Sequence, residues 1–207
     1  MAILGGAKVS DKIKTIDNLI DKCDTLLIGG GMAYTFMLAD GYEVGNSLKE
    51  PDQVENAKAM KAKAEAKGCK LLTPVDTICA KEFDNDSPRS CHELGDIPAD
   101  EMGMDIGPKT IELFCDEIAK AKTIFWNGPM GVFEMPNFQA GTKAVGEAIA
   151  ANKDCFSCAG GGDSVAAVNQ FGLADDFSFI STGGGAAIQI VQGEKLPAVE
   201  ALLNSHL

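Results

Sequence analysis

The chain has 207 residues, long enough for one sizeable domain with a full hydrophobic core. Hydrophobic residues make up 45% and charged residues 23%, the balance of a folded globular protein. A net charge of −12 excludes the basic stripe of a nucleic-acid-binding surface, and no apolar run is long enough to span a bilayer. No basic start precedes an apolar signal core, so a cytoplasmic protein is expected. Seven cysteines fit free thiols in a reducing compartment. Only Cys155 and Cys158 have redox or metal spacing, but they sit in an apolar run without a second pair. His92 and His206 are too few for a histidine metal site and are expected to face solvent.

In chain order, Ala2–Leu4 is a short apolar run ending in two glycines. The stretch 10-SDKIKTIDNLIDKC-23 predicts a helix with Ser10 as N-cap, because Ile13, Ile16, Leu19 and Ile20 share one face. Then 25-TLLIGGG-31 is a buried strand that breaks at glycines, followed by helices over 32–40 and 52–67. Lys70–Leu72 begins another strand. Residues 73–107 are the least regular part: Val75–Ala80 has strand character and 84-DNDSPRS-90 is a polar loop. Pro108 suits the first turn of a helix running to about Lys120. Strand 123-TIFW-126, tight loop 127-NGPMG-131, helix Pro136–Ala151 and strand Cys155–Ala159 follow. Asp163–Gln170 reads as helix, Phe177–Ile180 as the last strand, and Gly183–Gly185 opens a last helix. Strand, glycine turn, helix, repeated with strands apolar throughout, specifies a parallel sheet covered on both faces. No linker divides the chain, so one domain is expected.

Glycine runs at 5–6, 29–31, 160–162 and 183–185 each follow a strand and precede a helix. In an open parallel sheet such turns emerge at one edge, where ligands bind. Helix N-termini there offer unpaired amides and roughly half a positive charge each. The plainer role of the glycines is to permit tight turns; four runs at one edge favour a ligand. There is no GxxxxGK[ST] loop and no GxGxxG after the first strand, so neither a P-loop nor a dinucleotide fingerprint is present. In 6-GAKVSDK-12, Lys8 and Lys12 flank the predicted helix start, where both ammonium groups reach one phosphate chain. Otherwise they are solvated surface lysines. In 160-GGGDS-164, Asp163 suits a helix start by itself. At a phosphate-binding edge the same carboxylate can hold Mg²⁺, which prefers carboxylate, water and phosphate oxygens.

Six blocks, 5-GGAKVSDKI-13, 28-IGGGMAYTF-36, 102-MGMDIGPKT-110, 126-WNGPMGVFE-134, 160-GGGDS-164 and 181-STGGGA-186, resemble the phosphoglycerate kinase family in order and spacing. The resemblance covers nearly the whole chain but only half of such an enzyme. It implies the C-terminal, nucleotide-binding lobe, with the N-terminal lobe that binds 3-phosphoglycerate absent. The fold implied is a three-layer αβα Rossmann-like domain with a six-stranded, mainly parallel sheet and a small irregular β insertion around 73–100. The cofactor implied is Mg²⁺ with ADP or ATP, and the missing lobe is the implied partner. No membrane or nucleic acid is implied, and a monomer is expected.

The resemblance also implies roles. Lys12 would bind the nucleotide phosphates and the transferring phosphoryl group, and Lys8 would neutralise charge in the transition state. Gly6, Ala7 and Gly31 would line the nucleotide cleft, with Gly103 and Met104 a wall of the adenine slot. Asn127 would contact phosphates, Pro129 and Val132 would pack near the nucleoside, and Glu134 would accept from the ribose hydroxyls. Asp163 would hold Mg²⁺, beside Gly162, and Ser164 would offer its amide to a phosphate. The amides of Gly183, Gly184 and Gly185 would face the phosphoryl group in flight. One departure is 186-AAIQ-189, where Gln189 stands in place of the family's usual glutamate; it bears on a polar link to the other lobe. A stand-alone nucleotide-binding or regulatory module is the alternative, and a Rossmann-type oxidoreductase is disfavoured by the absent fingerprint. With the cleft bare, apolar residues near Met130–Phe133 and Ile188–Val191 are expected at the surface.

Overall fold

The computed structural model describes residues 1–181, 183 and 185–204. Six strands form one parallel sheet: β1 (Ala2–Leu4), β2 (Thr25–Ile28), β3 (Lys70–Leu72), β7 (Thr123–Asn127), β8 (Phe156–Gly160) and β9 (Phe179–Ser181). Their spatial order is β3-β2-β1-β7-β8-β9. The chain therefore winds outward from β1 in one direction, then returns to β7 and winds outward in the other. That is a doubly wound sheet with its switch point between β1 and β7.

The strand faces alternate into two cores. Ala2, Leu4, Leu26 and Ile28 pack on one face under α1 (Ile13–Ile20), α2 (Met32–Ala39) and α3 (Val54–Lys67). Ile3, Leu27, Ile124, Trp126 and Ala159 pack on the other, under α4 (Pro108–Lys120), α5 (Ala140–Ala151) and α6 (Gly162–Gln170). Burial on both faces is why the strands read as unbroken apolar runs. Two further helices follow β9: α7 (Gly185–Val191), the expected last one, and α8 (Pro197–Asn204), which the sequence reading did not anticipate.

The insertion between β3 and α4 forms a small antiparallel sheet that reaches Ile106, with a register shift at Ile78–Cys79 in the β4–β6 pairing. β4 (Asp76–Ala80) pairs antiparallel with β5 (Arg89–Glu93) on one side and with β6 (Met102–Ile106) on the other. Ala80, Met104 and Phe138 form a small core beneath it. His92 does not face open solvent: its ring is partly covered, with Nε2 3.0 Å from a Glu101 carboxylate oxygen. His206 lies outside the described residues. All seven cysteines are free.

Ser10 does not cap α1. Its amide and hydroxyl donate to the two Glu50 carboxylate oxygens at 3.0 and 2.6 Å, and the helix begins at Ile13 without a side-chain cap. The expected exposure near the cleft holds only in part. Ile190 is exposed, but Met130 and Phe133 are buried in the second core. Phe156 and Phe179, on neighbouring strands at the β9 edge, are exposed instead.

Candidate functional site at the switch point

The loops after β1, β2 and β7 meet backbone to backbone at the carboxyl edge of the sheet, and the loop after β8 joins them through the Asn127 side chain. The Gly5 amide donates to Asn127 O at 3.0 Å, Gly29 to Leu4 O at 2.8 Å, and Gly30 to Met130 O at 3.0 Å. A Cβ on Gly5 would lie 1.8 Å from the Pro129 carbonyl oxygen. Gly128, at φ +97, would place one 2.3 Å from the Gly5 oxygen. Such approach is open only to glycine. These glycines therefore build the crossing of the loops. Gly6, at φ +130, joins the crossing through its backbone, since a Cβ on Gly30 would stand 2.6 Å from the Gly6 oxygen, although its own Cβ position has only the Lys12 side chain nearby; Gly162 faces open space.

A polar cluster lies at the crossing. The Lys12 ammonium donates to the Asn127 side-chain oxygen. The Asn127 Nδ2 donates to Gly160 O at 2.6 Å, so this amide, 2% exposed, is fixed at both ends. Partial burial holds the Lys12 ammonium below its ordinary pKa, while the Asp163 and Asp11 carboxylates pull it back up. Asp163 is exposed in the first turn of α6, where a carboxylate complements the helix dipole. It is not the N-cap; Gly161 is. Ser164 is buried, and its hydroxyl accepts from the Gly128 amide at 2.6 Å. Lys8 is exposed on the loop before α1, so both lysines precede the helix rather than flanking its start.

Beside the cluster is a cavity of about 340 Å³, the size of a small-molecule site. Nine of the residues marked by sequence line it: Gly6, Ala7, Gly31, Gly103, Met104, Pro129, Val132, Glu134 and Asp163. Lys12 borders it through Gly6, its Cε 3.7 Å from where a Cβ on that residue would stand. Asn127 and Ser164 stay buried behind the loop. Gly183 is exposed before α7, Gly185 is the first residue of α7, and Gly184 lies outside the described residues.

The sequence reading missed Tyr34, Leu48, Phe83 and Met102 in the wall. Phe83 is 63% exposed, a lone aromatic in the polar run 81-KEFDNDS-87, and that isolation was a legible signal. Tyr34 gave none, since it sits on α2 among residues buried as ordinary core. Its hydroxyl is 2.6 Å from Thr77 Oγ1, tying α2 to β4. Burial pushes its phenol well above the usual range.

Among the described residues, no group of three or more His, Cys, Asp or Glu side chains could hold a metal. One exposed carboxylate at a cavity rim does fit Mg²⁺ that arrives on phosphates, because this ion keeps its waters and takes one or two carboxylates from protein.

Together, the fold and the site define a doubly wound α/β domain with a small-molecule cavity at its switch point and a lysine–asparagine–aspartate cluster beside it. The phosphoglycerate kinase family profile matches residues 1–194, and the chain belongs to that family. It is 59% identical to a phosphoglycerate kinase of Acidobacterium capsulatum, over 98% of this chain and 50% of that one. A phosphoglycerate kinase of Clostridium novyi is 56% identical over 98% of this chain and 50% of its own length. The solved phosphoglycerate kinase of Coxiella burnetii superposes with a TM-score of 0.94 at 41% identity, covering 97% of this chain and 52% of that one. That of Pyrococcus horikoshii gives 0.81 at 34% identity, covering 98% and 51%. The chain thus spans about half the length of the relatives it matches.

Proposed function

We propose that residues 1–207 are the nucleotide-binding half of a phosphoglycerate kinase and take up ADP or ATP with magnesium at the switch point. The reaction served is phosphoryl transfer between 1,3-bisphosphoglycerate and ADP, giving 3-phosphoglycerate and ATP. A second lobe, outside this chain, holds the phosphoglycerate. The observation that carries the reading is the convergence on one cavity of nine residues marked by five separate sequence blocks. The base lies between the Gly103–Met104 strand and the 129–132 loop, with Glu134 accepting from ribose. Lys12, fixed by Asn127, holds the phosphates, and exposed Lys8 closes over them. Asp163 holds the magnesium, whose charge offsets that of the phosphates. Phosphoryl transfer asks for positioning and charge stabilisation more than covalent help, and these groups supply both.

Closure against the second lobe assembles the site and excludes water, so this chain alone turns over little or not at all. Titration calorimetry with MgADP tests the binding. Saturable heat is expected, and none at millimolar ligand overturns the reading. For Asp163→Ala, the gain in affinity from magnesium should fall about ten-fold, the usual scale for losing a charged ligand contact; an unchanged magnesium dependence removes the metal role.

A further inference from the structure

One buried acid is unused by this reading. Asp105 on β6 is 2% exposed and has no cationic partner among the described residues. Its Oδ2 accepts from the Gly141 amide at 2.7 Å, in the first turn of α5. Its Oδ1 accepts from the Ile106 amide at 2.9 Å. A carboxylate from a strand thus caps a helix far away in sequence. The loop between them passes over the same group: a Cβ on Gly131 would stand 2.3 Å from Asp105 Oδ1, and one on Gly141 2.4 Å from it. One residue before Asp105, the Met104 oxygen accepts from the Val132 amide at 2.8 Å. Met104, Gly131 and Val132 are all cavity wall.

We infer that Asp105 is a positioning residue for the nucleoside: its carboxylate clamps the α5 end of the 131–141 segment onto β6 and so fixes the width of the slot between Gly103–Met104 and Gly131–Val132. The inference rests on the nucleotide reading above and adds to it a residue that never touches the ligand. An ionised carboxylate makes stronger hydrogen bonds to amides than a neutral acid. The clamp is therefore tightest when Asp105 is charged. Burial raises its pKa to about 7, with the Gly141 and Ile106 amides opposing. On the elements packed against it, burial pushes the Tyr34 phenol of α2 up, and the Cys79 thiol of β4 up to about 12. Glu134 of the loop and Lys143 of α5 are exposed. Nucleoside affinity should rise as pH climbs through about 7.

Two probes separate this from a general loss of structure. MgADP uses both slot and phosphate cluster, whereas magnesium pyrophosphate uses the cluster alone. For the wild-type chain, the ratio of MgADP to pyrophosphate affinity should rise several-fold from pH 5.5 to 8.5. In Asp105→Asn the ratio should be roughly ten-fold lower at pH 8.5 and flat with pH, with pyrophosphate affinity unchanged. The wild-type profile needs no variant, so a misfolded Asp105→Asn leaves the test standing. A wild-type ratio that is flat across this range overturns the positioning role, as does a variant that binds MgADP like wild type. Failure of wild type to bind MgADP at any pH overturns the nucleotide reading and this one with it.

Discussion

At the scale of single residues, the glycines divide by what stands opposite them. Sequence marks every glycine in the turns alike. The structure splits them into Gly5, Gly6 and Gly128, whose backbones meet where the loops cross, and Gly162, whose Cβ position is open. Gly103 belongs to neither group. A Cβ there would stand 1.7 Å from the Tyr34 hydroxyl oxygen and 2.1 Å from Cζ of its ring. Gly103→Ala must therefore push the whole ring aside and break its bond to Thr77. It should cost about 2–4 kcal/mol, the range for overpacking plus a lost buried hydrogen bond. Urea unfolding should show the lower midpoint, with weaker MgADP binding. Tyr34→Phe alone should cost only about 1 kcal/mol, since Thr77 keeps its bond to the Asp105 carbonyl at 2.9 Å. Tyr34→Phe should not rescue Gly103→Ala, because the ring carbons remain in the way. Residue type and position alone mark Lys12 and Asp163 as candidates, while Asn127 enters only through the family resemblance. The site was not legible at Tyr34, whose apolar helix looks the same whether it backs a cavity or a core.

At the scale of elements, the boundaries depend on partners that sequence separates. Ser10 has the residue type and position of an N-cap, but Glu50 takes its amide and hydroxyl, and α1 starts three residues later. At α4 the reverse holds. Gly107 offers no cap, and the capping group comes from β4. Asp76, 2% exposed, accepts from the Lys109 amide at 2.9 Å, the Thr110 amide at 2.8 Å and the Thr110 hydroxyl at 2.6 Å. This charge at a helix start also complements the dipole. Asp76→Ala strands two helix amides and should cost about 2–4 kcal/mol. Asp76→Asn, which keeps one acceptor oxygen, should cost about half as much. Equal losses in urea midpoint for the two variants would count against the capping role. β5 escaped the sequence reading for a related reason. Its residues, 89-RSCHE-93, are polar, and only pairing with β4 holds them in a strand.

At the scale of the whole molecule, the alternation of strands and helices fixed the class, but not the order β3-β2-β1-β7-β8-β9. That order follows from where each crossover packs, and it is what brings Gly5 beside Asn127. A site assembled there carries a cost that pH should expose. The chain bears a net charge of −12, and Asp105 adds a buried negative charge once it ionises. Its folded pKa, about 7, lies above the ordinary value of 3.8. The folded state therefore binds a proton that the unfolded state has already released in the window between those values. Stability from this group is complete below 3.8 and falls as pH rises through about 7. Asp21, Asp100 and Glu117 behave in the opposite sense: lysine partners hold their pKa values down, so their contribution is lost only in acid, below the ordinary carboxylate range. They are constant from pH 5.5 upward, which leaves that window to other groups. Over pH 5.5 to 8 the Asp105 contribution should fall by about 2 kcal/mol, or 1.36 kcal/mol for each of roughly 1.5 pH units. The check is the difference in unfolding free energy between wild type and Asp105→Asn, measured by urea at each pH. It should shift by that amount in favour of the variant as pH rises. A difference independent of pH would mean that folding does not raise the pKa of Asp105 and that its buried charge costs the folded chain nothing over this range.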